Sequence, residues 1–190
     1  MHEHLRKQIE NIATFQESDL LTISDCFKSH MFDAKQYILE EGKIASDIHF
    51  IISGLVRVYY YKDGKEITTY MACDDGFVSS YSSFINQSKS VEYIQCLEKT
   101  EALSISFPKM QELYEKIPQW QAVGRRLAEQ NYICMANRVL QLQGIPAREK
   151  YLDFLSTSPK KIIQRAPLIH IASFLGITPE SLSRIRKSIS

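Results

Sequence analysis

The residues best suited to chemistry lie near the C-terminus, in Leu168-Ile169-His170-Ile171-Ala172-Ser173-Phe174-Leu175-Gly176-Ile177-Thr178-Pro179-Glu180-Ser181-Leu182-Ser183-Arg184-Ile185-Arg186-Lys187. Two helices that cross steeply at a short turn need a small residue where they approach, supplied by Ala172. They also need a residue tolerant of positive φ at the turn, supplied four positions later by Gly176. Thr178 is suited to cap a second helix and Pro179 to begin it, so that its free amides and positive dipole end could meet a phosphate. Leu182, Ile185 and Ile189 would form the inner face of that helix, leaving Glu180, Ser181, Arg184, Lys187 and Ser188 outside. Arg184 can span O6 and N7 of guanine, Glu180 can accept from the exocyclic amine of cytosine, and Ser181 can meet a phosphate or a base edge. The plainer reading is a solvated helix face on which Glu180 and Arg184 form an i,i+4 ion pair. The coincidence of Ala172, Gly176, the Thr-Pro start and the apolar register favours the nucleic-acid reading.

Other elements must position this pair of helices. Residues 3–28 return apolar side chains every three to four positions and read as helical. From about Met31 to Ser106 the texture changes to short β-branched and aromatic runs: Tyr37–Leu39, Ile48–Ile52, Leu55–Tyr61, Ile67–Met71, Val91–Leu97 and Ala102–Phe107. Gly42, Gly54, Gly64 and Gly76 punctuate these runs, and Lys62-Asp63-Gly64-Lys65 is a tight-hairpin signal. Regularly spaced short strands point to a small β-barrel or jelly roll. A long helix over about 119–143 follows, on which Trp120, Val123, Leu127, Ile133 or Cys134, and Val139 or Leu142 form a partly apolar stripe that Asn131 and Arg138 interrupt, with Trp120, Val123, Leu127, Asn131 and Cys134 as the candidate pairing positions. That stripe either packs on the barrel or joins two copies of the chain. Gly144-Ile145-Pro146 reads as a hinge. A short helix from Ala147 to Leu155 follows it, with Tyr151, Leu152 and Leu155 turned inward.

Charge divides along the same line. Of the 190 residues, 1–107 hold 10 Lys and Arg against 16 Asp and Glu, whereas 108–190 hold 13 against 6. An acidic front and a basic back suit a chain in which only the back approaches a polyanion. No apolar run is long enough to span a membrane and the first residues lack a secretory core, so the expected compartment is the cytoplasm. Cys26, Cys73, Cys96 and Cys134 are too scattered for zinc or iron–sulfur spacing and read as reduced thiols.

With barrel, long helix, hinge and terminal helix pair in this order, the whole chain resembles the Crp/Fnr superfamily of bacterial transcription regulators, most closely in Ile171-Ala-Ser-Phe-Leu-Gly-Ile-Thr-Pro-Glu-Ser-Leu-Ser-Arg-Ile185. The resemblance implies an α+β fold: a cyclic-nucleotide-binding-type jelly roll (residues 1–118), a dimerisation helix (119–143) and a helix-turn-helix domain (144–190). It implies a homodimer on double-stranded DNA, with RNA polymerase a further partner in such regulators. It also places Glu180, Ser181 and Arg184 where the family contacts bases and backbone. Ser183 stands where glycine is common, and Pro179 where a basic residue is sometimes used. Members that bind cyclic AMP carry Gly-Glu and a later Arg followed by Ser or Thr, because the carboxylate holds the ribose and the guanidinium the phosphate. Here Ser79 and Ser80 take the first pair of positions, and Ser90 and Val91 the second. Cyclic AMP is therefore not the expected effector, although Ser79, Ser80, Tyr81, Ser82, Ser83, Ser90 and Val91 could line a pocket for another small molecule. No cofactor is expected. A β-wing, if one exists, would fall in Lys160–Arg165, where Lys160 and Lys161 would meet DNA phosphates beside Thr178 and Lys187.

Two other classes compete with a transcription factor. A cupin-like enzyme shares the small jelly roll but needs several histidines and a carboxylate inside it, and only His49 falls in the strand runs read here. A ligand-binding or interaction module would use its terminal helices for dimerisation alone. Catalysis is not expected.

Overall fold

A computed structural model of the chain describes residues 1–142 and 144–189. The expected end of the long helix at Gln143, and Ser190, lie outside the described residues. Helices α1 (Glu3–Glu10) and α2 (Glu17–Cys26) precede eight strands: β1 (Phe27–Phe32), β2 (Tyr37–Leu39), β3 (Asp47–Ser53), β4 (Leu55–Lys62), β5 (Lys65–Cys73), β6 (Phe77–Val78), β7 (Tyr93–Cys96) and β8 (Thr100–Ser106). A short helix α3 (Tyr81–Asn86) interrupts them, and α4 (Phe107–Lys116) and α5 (Trp120–Leu142) follow. The strands form two antiparallel four-stranded sheets, ordered β1-β8-β3-β6 and β2-β7-β4-β5. This is the expected jelly roll.

Local chemistry accounts for most of it. The β4–β5 hairpin closes on Asp63 and Gly64, both at positive φ, which matches the twist of the flanking strands. Phe50, Ile51, Val56, Ile94, Cys96 and Ala102 fill the core, with Leu5, Ile9, Leu20 and Ile23 of the first two helices packed onto it. Two boundaries differ from the expectation. Phe27 and Lys28 belong to β1, because α2 ends at Cys26 and the chain pairs at once with β8. Ser82 and Ser83 sit in helix α3, which the serine-rich composition disguised as a turn. His30 as well as His49 therefore lies in a strand.

The C-terminal helices are α6 (Ala147–Thr157), α7 (Lys160–Arg165), α8 (Leu168–Leu175) and α9 (Pro179–Ile189). Lys160–Arg165 is thus helical and not a wing, since Pro159 starts a turn of helix that buries Ile162. Tyr151 and Phe154 are the buried apolar residues of α6, with Lys150 buried beside them, while Leu152 points outward, because the buried face follows a three-residue step from Tyr151. One apolar cluster joins Phe154, Ile162, Ile171, Ala172, Leu175 and Leu182 to Leu55, Met71 and Cys73 of the barrel. The helical unit is consequently docked on the outer face of β4 and β5. No described helix is long and apolar enough to cross a membrane.

Candidate nucleic-acid interface and sensor pocket

Helix α8 ends at Gly176, whose φ of 66° lets the chain turn sharply, and Ile177 donates its amide back to the Ala172 carbonyl. Ala172 is fully buried at the crossing and Leu182 fully buried beneath α9. The Thr178 hydroxyl accepts the Ser181 amide at 3.2 Å, so α9 starts with a side-chain cap. Glu180 and Arg184 are exposed one turn apart, as is Lys187, and Ser181 is half-buried. The free backbone amide at the helix start, and then the Thr178 hydroxyl, hold the Glu180 carboxyl below the usual carboxylate range. Thr178, Glu180 and Ser181 thus gather at an N-terminus that stabilises negative charge, with Arg184 one turn on and Lys187 in the last turn of α9.

The opposite side of the helical unit is tied to the barrel by polar contacts that sequence reading did not anticipate. Arg57 on β4 is almost fully buried and donates to Glu66 at 2.6 Å, to Gln95 at 2.9 Å and to Nδ1 of His170 at 2.8 Å. An accepting Nδ1 places the His170 proton on Nε2. Burial, then the Arg57 charge, pushes the His170 pKa down to about 4, so the ring is neutral near pH 7. The Ser173 hydroxyl donates to the Glu66 carbonyl at 2.8 Å and accepts the Thr68 amide at 2.9 Å, occupying the free edge of β5 as a neighbouring strand would. Lys161 contacts both Asp74 and Glu98 at 2.7 Å, and Arg165 reaches Glu98 at 3.0 Å. Burial alone would lower the Lys161 pKa, but those two carboxylates hold it up. Lys161 is therefore not presented to solvent as expected, whereas Lys160 is exposed.

In the barrel the serines serve the fold. Ser79 donates to the Asp47 carbonyl, and Ser83 accepts the Ala45 amide. Ser80 donates to the Glu92 carboxylate at 2.6 Å, Ser90 donates to Ser80 at 3.0 Å and accepts the Glu92 amide at 2.9 Å, and Thr69 lies 3.2 Å from the same carboxylate. Ser82 and Val91 face solvent and Tyr81 is half-buried. Ser80 and Ser90 are thus tied into a hydrogen-bonded knot centred on Glu92, a residue the serine pattern did not reveal, while Ser79 lines a small pocket of about 100 Å³ beside His49 and Ile94. The only signal of Glu92 was its position directly after the Ser90-Val91 pair.

The long helix also departs from the expectation. Trp120 is 1% and Val123 0% exposed, because both pack into the chain's own core. The indole lies against Phe15 and Phe27 and donates to the Met110 sulfur. Leu127 packs on the same core, and Asn131 and Cys134 are half-buried. Trp120, Val123 and Leu127 of the expected stripe therefore face inward, whereas its alternatives Ile133 and Val139 do not. The exposed apolar side chains are instead Tyr132, Ile133, Val139 and Leu140, at 75, 53, 52 and 65%, with Met135 beside them.

Comparison with known proteins places these features. Residues 29–117 match the cyclic nucleotide-binding domain family. Among curated proteins none matches the chain by sequence. FixK2 from Bradyrhizobium japonicum superposes with a TM-score of 0.74 at 14% identity, over 86% of this chain and 84% of that one. The global regulator CLP of Xanthomonas campestris gives 0.69 at 17% identity over 92% and 91%. A Crp/Fnr-family transcriptional regulator from Eubacterium rectale gives 0.68 at 17% over 92% and 83%.

Proposed function

We propose that this chain, which joins a cyclic nucleotide-binding domain to a helical unit in the fold of the Crp/Fnr regulators, is a sequence-specific DNA-binding transcription regulator acting on genomic DNA in the cytoplasm as a homodimer. Residues 1–118 would be the sensor, 119–143 the dimerisation helix and 144–190 the reading head. The observation that carries the reading is the capped start of α9, with Glu180 and Arg184 exposed on the side away from Leu182. Arg184 reads guanine, Glu180 reads cytosine, and the start of the helix, with Ser181, Lys187 and Lys160, meets the phosphates.

A single reading head makes too few contacts for useful affinity, and a two-fold pair engages successive half-sites. The partner surface in this reading is the exposed apolar side of α5 around Tyr132, Met135 and Val139, whose three- and four-residue steps suit helix pairing. Regulators of this fold act on transcription, which makes RNA polymerase a further partner.

Selection of bound fragments from sheared genomic DNA by the purified protein tests the reading directly. A common motif should emerge, and Arg184→Ala should weaken binding to it by about 1–3 kcal/mol while relaxing the preference for guanine. Unchanged affinity and motif in a folded Arg184→Ala protein would show that α9 is not the reading head, and the absence of any enriched motif would favour an interaction module without DNA binding. For the sensor, calorimetric titration with cyclic AMP or cyclic GMP should give no micromolar binding. The Glu92 carboxylate, held by Ser80, would stand against the cyclic phosphate with no guanidinium to offset it. A micromolar constant would refute this account of the knot.

A further inference from the structure

Between the outer end of β5, the last turns of α5 and the helical unit lies a cavity of about 700 Å³. That volume is typical of small-molecule sites. Its walls are largely apolar, from Tyr70, Ala72, Leu140, Phe154, Ile162 and Phe174. The cation on its wall is Arg138.

Arg138 is half-buried, with its guanidinium carbon 4.8 Å from the centre of the Phe174 ring. It donates to the Phe174 carbonyl at 2.9 Å and to the Thr68 carbonyl at 2.7 Å. A guanidinium has five N–H donors and a full charge, and two carbonyls leave donors unused and the charge without a counter-ion. The carboxylates at the rim are engaged elsewhere. Asp74 holds Lys161 and the Gly54 amide, Asp75 holds His4, and Asp153 accepts the side-chain amide of Gln141. Among the described residues none forms an ion pair with Arg138. A half-buried guanidinium with unused donors beside an apolar wall is a ready partner for an anion.

We infer that this cavity binds a small organic anion with an apolar body, a carboxylate of medium chain length or with one aromatic ring, its charged end on Arg138 and its body along the apolar wall of Tyr70, Leu140 and Phe174. The site lies outside the serine knot of the barrel and does not depend on DNA binding. Because barrel, long helix and helical unit each contribute a wall, an occupant links all three and stabilises their present arrangement.

Calorimetry and thermal-shift titration of the full chain with octanoate and with 3-phenylpropanoate, each beside its uncharged amide, test the inference. At least one acid should bind saturably below about 1 mM and at least tenfold more tightly than its amide. Arg138→Gln should remove that preference. Thr157→Phe, made at an exposed helix end that lines the cavity, should abolish binding while leaving the Arg138 contacts in place. The inference falls if neither acid saturates, if acid and amide bind alike, or if both variants bind the acid as the parent does.

Discussion

The two halves of α5 carry the same apolar periodicity and meet opposite fates. Trp120 and Val123 vanish into the core of their own chain, while Tyr132 and Val139 stand in solvent. Both halves are helical for the same local reason, an absence of proline and enough apolar side chains at three- and four-residue steps. The neighbours differ. Phe15, Phe27 and Met110 surround the first half, whereas the second runs beside β5 toward the helical unit and touches both through Arg138. Periodicity records that a face will be covered, and topology decides by what.

Substitutions along this one helix can break or sharpen the contrast. The largest effect belongs to Trp120→Ala, which empties the core and removes the indole contact with Met110. Urea unfolding should register a loss of about 3–5 kcal/mol. Next comes Tyr132→Glu with Val139→Glu, which places two carboxylates on the exposed face. Sedimentation equilibrium should show self-association weakened by at least about 100-fold, near 2.7 kcal/mol, with the unfolding of the monomer almost unchanged. A fully dimeric double variant would remove this face from the interface. The smallest belongs to Gly124→Ala, where the new methyl would lie 2.1 Å from the Tyr114 hydroxyl oxygen. Alanine favours helix by about 1 kcal/mol. The forced shift of a packed tyrosine outweighs that gain, so a net loss of about 1–2 kcal/mol is expected from the same unfolding curves. An unchanged or raised stability would mean that this half of α5 is less tightly packed than its burial indicates.

The same distinction explains what the sequence disclosed. The hairpin at Asp63-Gly64, the turn at Gly176 and the cap at Thr178 depend on backbone preferences of a few adjacent residues, and all three appear where expected. The outward face of α9 was legible because Leu182 and Ile185 fix its register. The partners of Arg57, His170, Ser173 and Arg138 escaped notice because, apart from Glu66 beside Arg57, they lie 36 or more residues away in the chain. Glu92 was overlooked beside a more conspicuous row of serines. The inward stripe of α5 was recognised, but its partner was a matter of tertiary packing, which a single periodicity does not encode.

Lys161 and Arg165 grip Asp74 and Glu98 much as they would grip two phosphates of a DNA strand. The acidic barrel is, to these two cations, a built-in substitute for the double helix. A complex in which they turned to the duplex would exchange one set of anions for another, releasing fewer condensed counter-ions than the new contacts alone imply. Salt would then weaken the internal grip and the external one together. In the proposed complex, the apparent charge of the surface facing DNA, as an ionic-strength series measures it, would be smaller than its count of lysines and arginines.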